Sequence, residues 1–402
     1  MKFIHTADVH LGHPFTGLNN VPNNLMQQVE QATFTSFIQL IDYALAQTVD
    51  FIVITGDLFD TQHQSVQVLD FLVVQFKRLA TQDIMVYLSF GNHDFNQTIA
   101  GFDFGTNVTL FSGDVTIKQQ TTQQGETVNI VGFSYQQQHI QTQVIDQFPM
   151  KGQVDFQIGM YHGAVDGPYA PFSIAEMRAK HYDYWALGHI HKRQVLAEQP
   201  FIIYPGNLQG QNIKEAGVKG FYLVTSQSDT LIPEFIPSTN VTWELVTLEI
   251  PMVATQADLL QLLLPKLQAF ANRPAALVMT RLELVSEFAL PHLLELRLLD
   301  GATVTQLNQA LRASGVTNLW INDLTLRQPE QNQALAGLDN EAWAAAAKIV
   351  FTPENLHVTG LKNVPEAFVT SYFDQPEVQA QLQHRAKLLL ELYLNEDFVD
   401  ED

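Results

Sequence analysis

The sequence predicts a layered α/β domain, then a smaller α+β module, then a helical C-terminal segment. Three observations predict it. Short β-rich runs alternate with helical or loop segments from residue 2 to about 237; two prolines in the polar stretch PEFIPSTN, 233–240, interrupt that alternation; and from about 339 the chain reads as helical, ending in the acidic NEDFVDED. The boundaries drawn from this pattern are 1–237, 238–335 and 336–402.

The β-rich runs are KFIHTA, FIVIT, IMVYLSF, VNIVGF, FQIGMY, YDYWAL, FIIY and GFYLVT. Between the first two, Leu25, Val29, Ala32, Phe37, Leu40, Ile41, Ala44 and Leu45 recur at intervals of three and four after a Pro-Asn-Asn start, which is the pattern of an amphipathic helix. That helix, 24–47, could cover the sheet or form the face of a homodimer. In an alternating α/β domain, ligands are expected at strand ends and in the loops that follow them. The module at 238–335 reads as strand VTWELVTLEI, helix ADLLQLLLPKLQAFA with Pro265 inside it, strand LVMTRLELV, helix TVTQLNQALRAS and strand NLWINDLTL. In the last segment, PEVQAQLQHRAKLLLELYLNEDF opens with a proline suited to the first helical position. It places Val378, Leu382, Leu389 and Tyr393 on one side, and Leu388, Leu390, Leu392 and Leu394 widen the apolar arc. So wide an arc needs a partner surface, either another helix of this chain or a docking protein.

The totals bound the function. A chain of 402 residues exceeds one ordinary domain, and 46% apolar residues fill such cores easily. No stretch approaches the roughly 18 continuous apolar residues of a membrane span, and MKFIHTADVH turns polar too soon for a signal peptide. The expectation is a cytoplasmic protein with no membrane partner. The absence of cysteine excludes disulfides and thiolate metal sites, which leaves histidine, carboxylate and amide ligands and favours harder metals. A net charge of −21 opposes generic nucleic-acid binding, because phosphate contact needs clustered Lys and Arg.

Ligand-type residues gather behind the strands. HTADVHLG gives Asp8 and His10, ITGDLFD gives Asp57 and Asp60, and FGNHD gives Asn92, His93 and Asp94. MYHGAV adds His162, and ALGHIHKRQ adds His189 and His191. Residues two apart in an extended segment share a side, so Asp8 with His10, and His189 with His191, can each aim two groups into one cleft. Any one of these short patterns is common in loops. Five of them in one domain, each behind a strand, point to a shared metal site. They exceed the needs of one tetrahedral zinc. They suit two metals about 3.5 to 4 Å apart, which acidify a bound water and neutralise charge on phosphoryl oxygens during in-line attack.

The ordered set DVH, GDLFD, GNHD, YHG and GHIH resembles the calcineurin-like metallophosphoesterases. Within them, HTADVHLG, ITGDLFD and YPGNLQGQNIKEAGVKGFYLV look like the SbcD and YhaO branch of DNA repair exonucleases, with HLGHPFTGL and YPGNLQG on the YhaO side. The resemblance covers about the first 225 residues. It implies a layered β-sandwich flanked by helices, with a smaller capping domain behind it. It also implies that Asp8, His10 and His191 bind one metal, that Asn92, His162 and His189 bind the other, and that Asp57 bridges them. His93 then contacts the scissile phosphate or leaving group as the catalytic residue, with Asp94 orienting it. The two divalent ions would be manganese by family habit. Two positions depart from the family: Asp60 stands where the archaeal and eukaryotic branch has histidine, and Gln211 stands where a basic residue is expected.

Other residues are weighed against plainer roles. His5 reads as a packed residue, and His13 as either a substrate neighbour or a surface histidine; His63, His139, His181, His292, His357 and His384 lack ligand-like context. Lys192, Arg193, Lys214 and Lys219 are candidates for backbone phosphates at the cleft rim. The leading expectation is a metal-dependent DNA nuclease, an exonuclease subunit of a DNA repair complex with a coiled-coil ATPase of SbcC type or a YhaO-associated ATPase. One rival keeps the metals and changes the substrate to nucleotides or other small phosphate esters. The other is a non-catalytic scaffold for the ATPase.

Overall fold

Alternation along the central strands decides the layering. In β1 (Lys2–Thr6), β2 (Phe51–Thr55) and β3 (Met85–Ser89), Ile4, Ile52, Ile54, Val86 and Leu88 fall on one face, and Phe3, Phe51, Val53 and Tyr87 on the other. A sheet apolar on both faces must be covered on both. This computed structural model describes residues 1–15, 18, 21–61, 65–95, 102–272, 277–329, 340–352, 354–356 and 366–394, and it meets that demand with helices on one side and a second sheet on the other.

The first sheet has the order β12 (Thr230–Pro237), β11 (Gly220–Gln227), β1, β2, β3, β4 (Val108–Leu110). β1 to β4 run parallel, and β11 is antiparallel to both β1 and β12. Helices α1 (Asn23–Gln47) and α2 (Val66–Ala80) cover its outer face through Phe37, Leu40, Ile41, Leu72 and Phe76. The apolar stripe of α1 is thus buried against its own sheet, the first of the two roles expected for it.

The second sheet runs β5 (Thr116–Thr121), β6 (Thr127–Gly132), β7 (Phe156–His162), β8 (Tyr184–Gly188), β10 (Phe201–Tyr204), β9 (Gln194–Glu198). Its four central strands are parallel, and its two edges are antiparallel. Between the sheets lie Phe3, Phe51, Ile130, Ile158, Tyr184 and Ile203, and Phe3 stacks on Phe51 at 5.0 Å between ring centroids. Outside the second sheet, Trp185, Tyr161 and Phe148 pack with Met177 of the short α3 (Ile174–Ala179). The result is helices, sheet, sheet, helix, with every parallel strand of both sheets directed toward one end.

The chain folds as two compact units, Met1–Glu244 with Ala276–Met279, and Leu245–Ala275 with Thr280–Asp402. The division falls within β13 (Val241–Ile250), later than the stretch expected to be a linker. Pro233 and Pro237, which suggested that linker, belong to the edge strand β12, a position where a missing N–H costs the sheet nothing. The second unit contains most of the three-stranded sheet of β13, β14 (Leu277–Ser286) and β15 (Leu319–Arg327). Helices α4 (Gln256–Ala271), α5 (His292–Leu299) and α6 (Ala302–Ala313) accompany it, and α7 (Asn340–Val350), α8 (Glu366–Phe373) and α9 (Pro376–Leu394) follow. α9 packs on α5: Leu388 meets Leu296, and the His384 ring nitrogen Nε2 lies 2.7 Å from Glu295 Oε1. Leu389 and Leu390 remain 37% exposed, whereas the side chains of Leu392, Tyr393 and Leu394 lie outside the described residues.

His5 is packed between the sheets, as the sequence suggests. Its Nε2–H donates to Leu187 O at 3.0 Å, so Nδ1 accepts from Tyr184 Oη–H at 3.0 Å, and the ring is fully satisfied while neutral. Burial pulls its pKa down to about 3 against the Leu187 bond. The unfolded chain therefore binds a proton that the folded chain refuses between pH 6.5 and about 3. Stability from this group is complete above pH 6.5 and falls as pH drops, at about 1.4 kcal/mol per unit. We expect His5→Gln, followed by thermal melting without metal, to lose about 1–3 kcal/mol at pH 8 but to decline less steeply than wild type from pH 6.5 to 4.

Candidate metal centre

The parallel strands deliver the ligand-type residues to one place. Asp8 and His10 follow β1, Asp57 and Asp60 follow β2, Asn92 and His93 follow β3, His162 ends β7, and His189 and His191 follow β8. Both sheets contribute, so the site straddles the open end of the sandwich. The turns that carry it are tight. Asp8, His10, Asp57 and His189 all have positive φ, at 50°, 50°, 47° and 103°. Such conformations cost about 1–3 kcal/mol each for non-glycine residues and persist only where the surroundings enforce them. Here Asp8 N–H donates to Gly56 O at 3.2 Å, His10 N–H to Asp57 O at 3.0 Å, and His189 N–H to both Asp8 carboxylate oxygens at 3.0 Å. Two glycines make room. A Cβ on Gly56 would stand 2.0 Å from His162 Nδ1, and one on Gly188 would stand 1.9 Å from Thr55 O.

Side chains converge in three overlapping groups: His10, Asp60 and His93 form the one at the exposed edge, and the other two share Asp8. Asp8, His10 and His191 each offer one ligand atom within 4.8 Å of the others, and so do Asp8, Asp57 and His162. Asn92 Oδ1 joins the latter, 3.0 Å from His162 Nε2 and 2.9 Å from His189 Nδ1. Asp57 Oδ2 lies between these two groups, 3.4 Å from His162 Nε2 and 3.9 Å from His10 Nε2. All seven residues expected as ligands are brought together in this way.

Proton placement tests whether cations fit. His162 Nδ1 faces the carbonyl of Thr55 at 3.2 Å, which can only accept, so the proton is on Nδ1 and the Nε2 lone pair faces the oxygens of Asn92 and Asp57. His191 Nδ1 likewise donates to Glu215 Oε1 at 2.6 Å. Its Nε2 lone pair then meets His10 Nε2 at 3.0 Å, while His10 Nδ1 faces Asp60 Oδ1 at 3.4 Å. The carboxylates of Asp8 and Asp57 and the Asn92 oxygen converge with these nitrogens, and so many donor atoms in one buried cluster need positive charge among them. The donor set therefore fits two divalent ions, with oxygen acceptors behind His162 and His191 in the manner of metal-ligating histidines.

The titration behaviour reports the same demand for positive charge, met by a proton on His162 when no cation lies against its Nε2. Burial alone would depress His162, yet Asp57 and Asp8 more than reverse it and lift the ring to about 9. Burial raises Asp8. Burial also opposes charge on Asp57, but the imidazoles around it, His162 foremost, hold its carboxyl well below the usual range. Burial and the nearby His162 bring His189 down to about 3, leaving it a neutral donor.

His93 is exposed at the edge of this cluster, with Nδ1 3.0 Å from the Asp60 carbonyl and its ring edge-on to His10 at 4.9 Å. Asp94 does not orient it. That carboxylate is fully buried and accepts from the N–H groups of Gly91, Leu58 and Phe59, so it ties the loop after β3 to the loop after β2. Burial, with Asp57 nearby, raises it to about 7. His13 is a partner of Asp60, at 2.8 Å. Lys219 is buried and donates to His191 O at 2.9 Å, and the Arg193 guanidinium lies over the Phe235 ring at 3.8 Å. Gln211 is buried, and its backbone N–H donates to Glu215. Lys192 and Lys214 are exposed; His63 and His357 lie outside the described residues. Two contributors escape the sequence reading: Glu215, and Tyr169, whose ring lies 4.4 Å from that of His189.

With this geometry in view, likeness to known proteins is decisive. The family described as calcineurin-like phosphoesterase matches residues 1–193. Those residues are a calcineurin-like phosphoesterase domain. The metallophosphoesterase YhaO of Bacillus subtilis is 38% identical over 270 residues, covering 65% of this chain and 66% of that protein. Two proteins named DNA double-strand break repair protein Mre11 are more distant. The one from Thermoplasma acidophilum is 27% identical, covering 51% of this chain and 56% of its own; that from Methanocaldococcus jannaschii is 28% identical, covering 58% and 64%. The matches thus span less than two thirds of these relatives' lengths. Among the described residues, no helix of this chain is long and apolar enough to cross a membrane.

If the converging lone pairs hold cations, divalent metal should stabilise the fold by mass action. We expect manganese to raise the melting temperature of wild type and a chelator to reverse the rise. Asp57→Ala, which removes the carboxylate between the two groups, should abolish that increment; an equal rise in the variant would contradict the assignment.

Proposed function

We propose that this chain is a two-metal phosphodiesterase acting on DNA, an exonuclease-like subunit that works with a coiled-coil ATPase in repair. The observation that carries the reading is the pair of ligand groups overlapping at Asp8, with Asp57 between them and His93 at their open edge. The Mre11 names of the distant relatives support DNA as the substrate. Asp8, His10 and His191 would hold one ion, Asn92, His162 and His189 the other, and Asp57 both. The ions, manganese on this reading, would acidify a water and neutralise phosphoryl charge.

The protein's own part is positional and protic. Because the Asp60 carbonyl only accepts, His93 keeps its Nδ1 proton there and turns Nε2 outward. As imidazolium it donates from Nε2 to a phosphoryl or leaving oxygen. Asp94 fixes the two loops that carry Asp57 and His93, so their spacing is set by backbone rather than by substrate. Leu389 and Leu390 of α9, exposed beside its packed face, would be the ATPase docking surface.

The net charge of −21 favours a second reading, hydrolysis of nucleotides or other small phosphate esters. One panel separates the two: single- and double-stranded DNA, a chromogenic phosphodiester and a monoester, with manganese. We expect DNA and the diester to be cleaved, with His93→Ala losing about 10²–10⁴ of the rate while keeping its metal, and Asp57→Ala losing both. Undiminished DNA cleavage by both variants would refute the proposal.

A further inference from the structure

The centre does not end with the residues that the phosphoesterase family matches. His191 is the last of the seven expected ligands in the chain, and its orientation is set from beyond residue 193. Glu215 lies in the segment between β10 and β11, as the last residue of a short 3-10 turn capped by Asn212. Its side chain is 13% exposed, and both carboxylate oxygens are engaged. Oε1 accepts from His191 Nδ1–H at 2.6 Å, and Oε2 accepts from Asn207 Nδ2 at 2.7 Å and Gln211 N at 2.8 Å. The same segment grips the backbone of His191. Lys219 Nζ and Asn207 N–H both donate to His191 O, at 2.9 and 3.3 Å. Asn207 also pairs with Ala7, beside Asp8.

We infer that Glu215 is the positioning residue of the Asp8, His10 and His191 metal site, fixing the His191 tautomer and holding its Nε2 lone pair on the ion. The inference rests on the two-metal reading above. Its physical basis is that a neutral imidazole can bind metal only through the nitrogen that lacks the proton, so a buried carboxylate behind Nδ1 selects Nε2. Three hydrogen bonds hold that carboxylate in place. His162 receives the same service from a backbone carbonyl, which no substitution can remove. His191 depends on a side chain, and so this one of the two sites is separately open to mutation.

The test is calorimetric titration of metal-free wild type and Glu215→Gln with manganese chloride. The expected result is two ions in wild type and, in the variant, affinity reduced by about ten- to a hundredfold for one ion with the other unchanged. Two unaltered affinities in a folded variant would overturn the inference while leaving the two-metal reading intact. A wild type that binds no manganese would instead overturn that reading, and this inference with it. Should Glu215→Gln fail to fold, the ring nitrogens of His191 decide the matter in the metal-free wild type. In 15N spectra at alkaline pH, a proton on Nδ1 upholds the inference and one on Nε2 overturns it.

Discussion

Two carboxylates, Asp8 and Asp57, are buried within reach of each other at the open end of the sandwich, and the architecture around them answers the cost of keeping them there. A buried carboxylate is tolerated only when hydrogen-bonded and compensated by positive charge. The hydrogen bonds are supplied by backbone: Asp8 accepts from His189 N–H, and Asp57 Oδ1 from His93 N–H at 2.9 Å. Each acid of one strand end is thereby bonded to the loop of another, and the loops are locked together by the groups that need compensation. The charge is left to the imidazoles and to whatever cation they share.

This arrangement explains why the strand ends are strained and why the strain is stable. Asp8, His10 and Asp57 can hold left-handed backbone only because parallel neighbours in register, Ile4 beside Ile52 and Ile52 beside Val86, fix the points from which the turns depart. Gly56 and Gly188 are required where His162 and the Thr55 carbonyl come closest to other backbone. The rigidity of two packed sheets is thus converted into placement of single nitrogen and oxygen atoms.

How much of this could be read from the sequence follows from where each element lies. All eight β-rich runs noticed in the first unit became strands, and they occupy the interior of the two sheets. The four strands not anticipated, β4, β5, β9 and β12, are the four sheet edges. An edge strand faces solvent along one side, so it carries residues such as those of TIKQQT, or the prolines of β12, and lacks the continuous apolar signature. The site divides in the same way. The residues expected as ligands, directly behind strands, were legible because their pattern is local to the motif, and the fold brings them together. The groups that orient them were not: the carbonyls of Thr55 and Asp60 are backbone and leave no trace in residue identity, and Glu215 is 24 residues from the histidine it holds. Asp94 departs from expectation for a related reason: adjacency to His93 suggests contact, whereas its side chain accepts from the N–H groups of Leu58 and Phe59.

The charge balance adds a last constraint on how a phosphate ester could be bound. With −21 overall, long-range attraction of a polyanion is absent, and the cations nearest the cleft are partly committed: Lys219 to the His191 carbonyl and Arg193 to Phe235. The buried acids would make the bare centre repel phosphate as well. On the proposed reading, the electrostatic draw for substrate must then come from the ions themselves, assisted by His93 and by the exposed Lys192 and Lys214 at the rim. Metal loading and substrate binding become one coupled event rather than two independent ones. A partner that holds the duplex would supply the sequence-independent phosphate contacts that this surface lacks, leaving the phosphoesterase chain to recognise a single phosphodiester at short range.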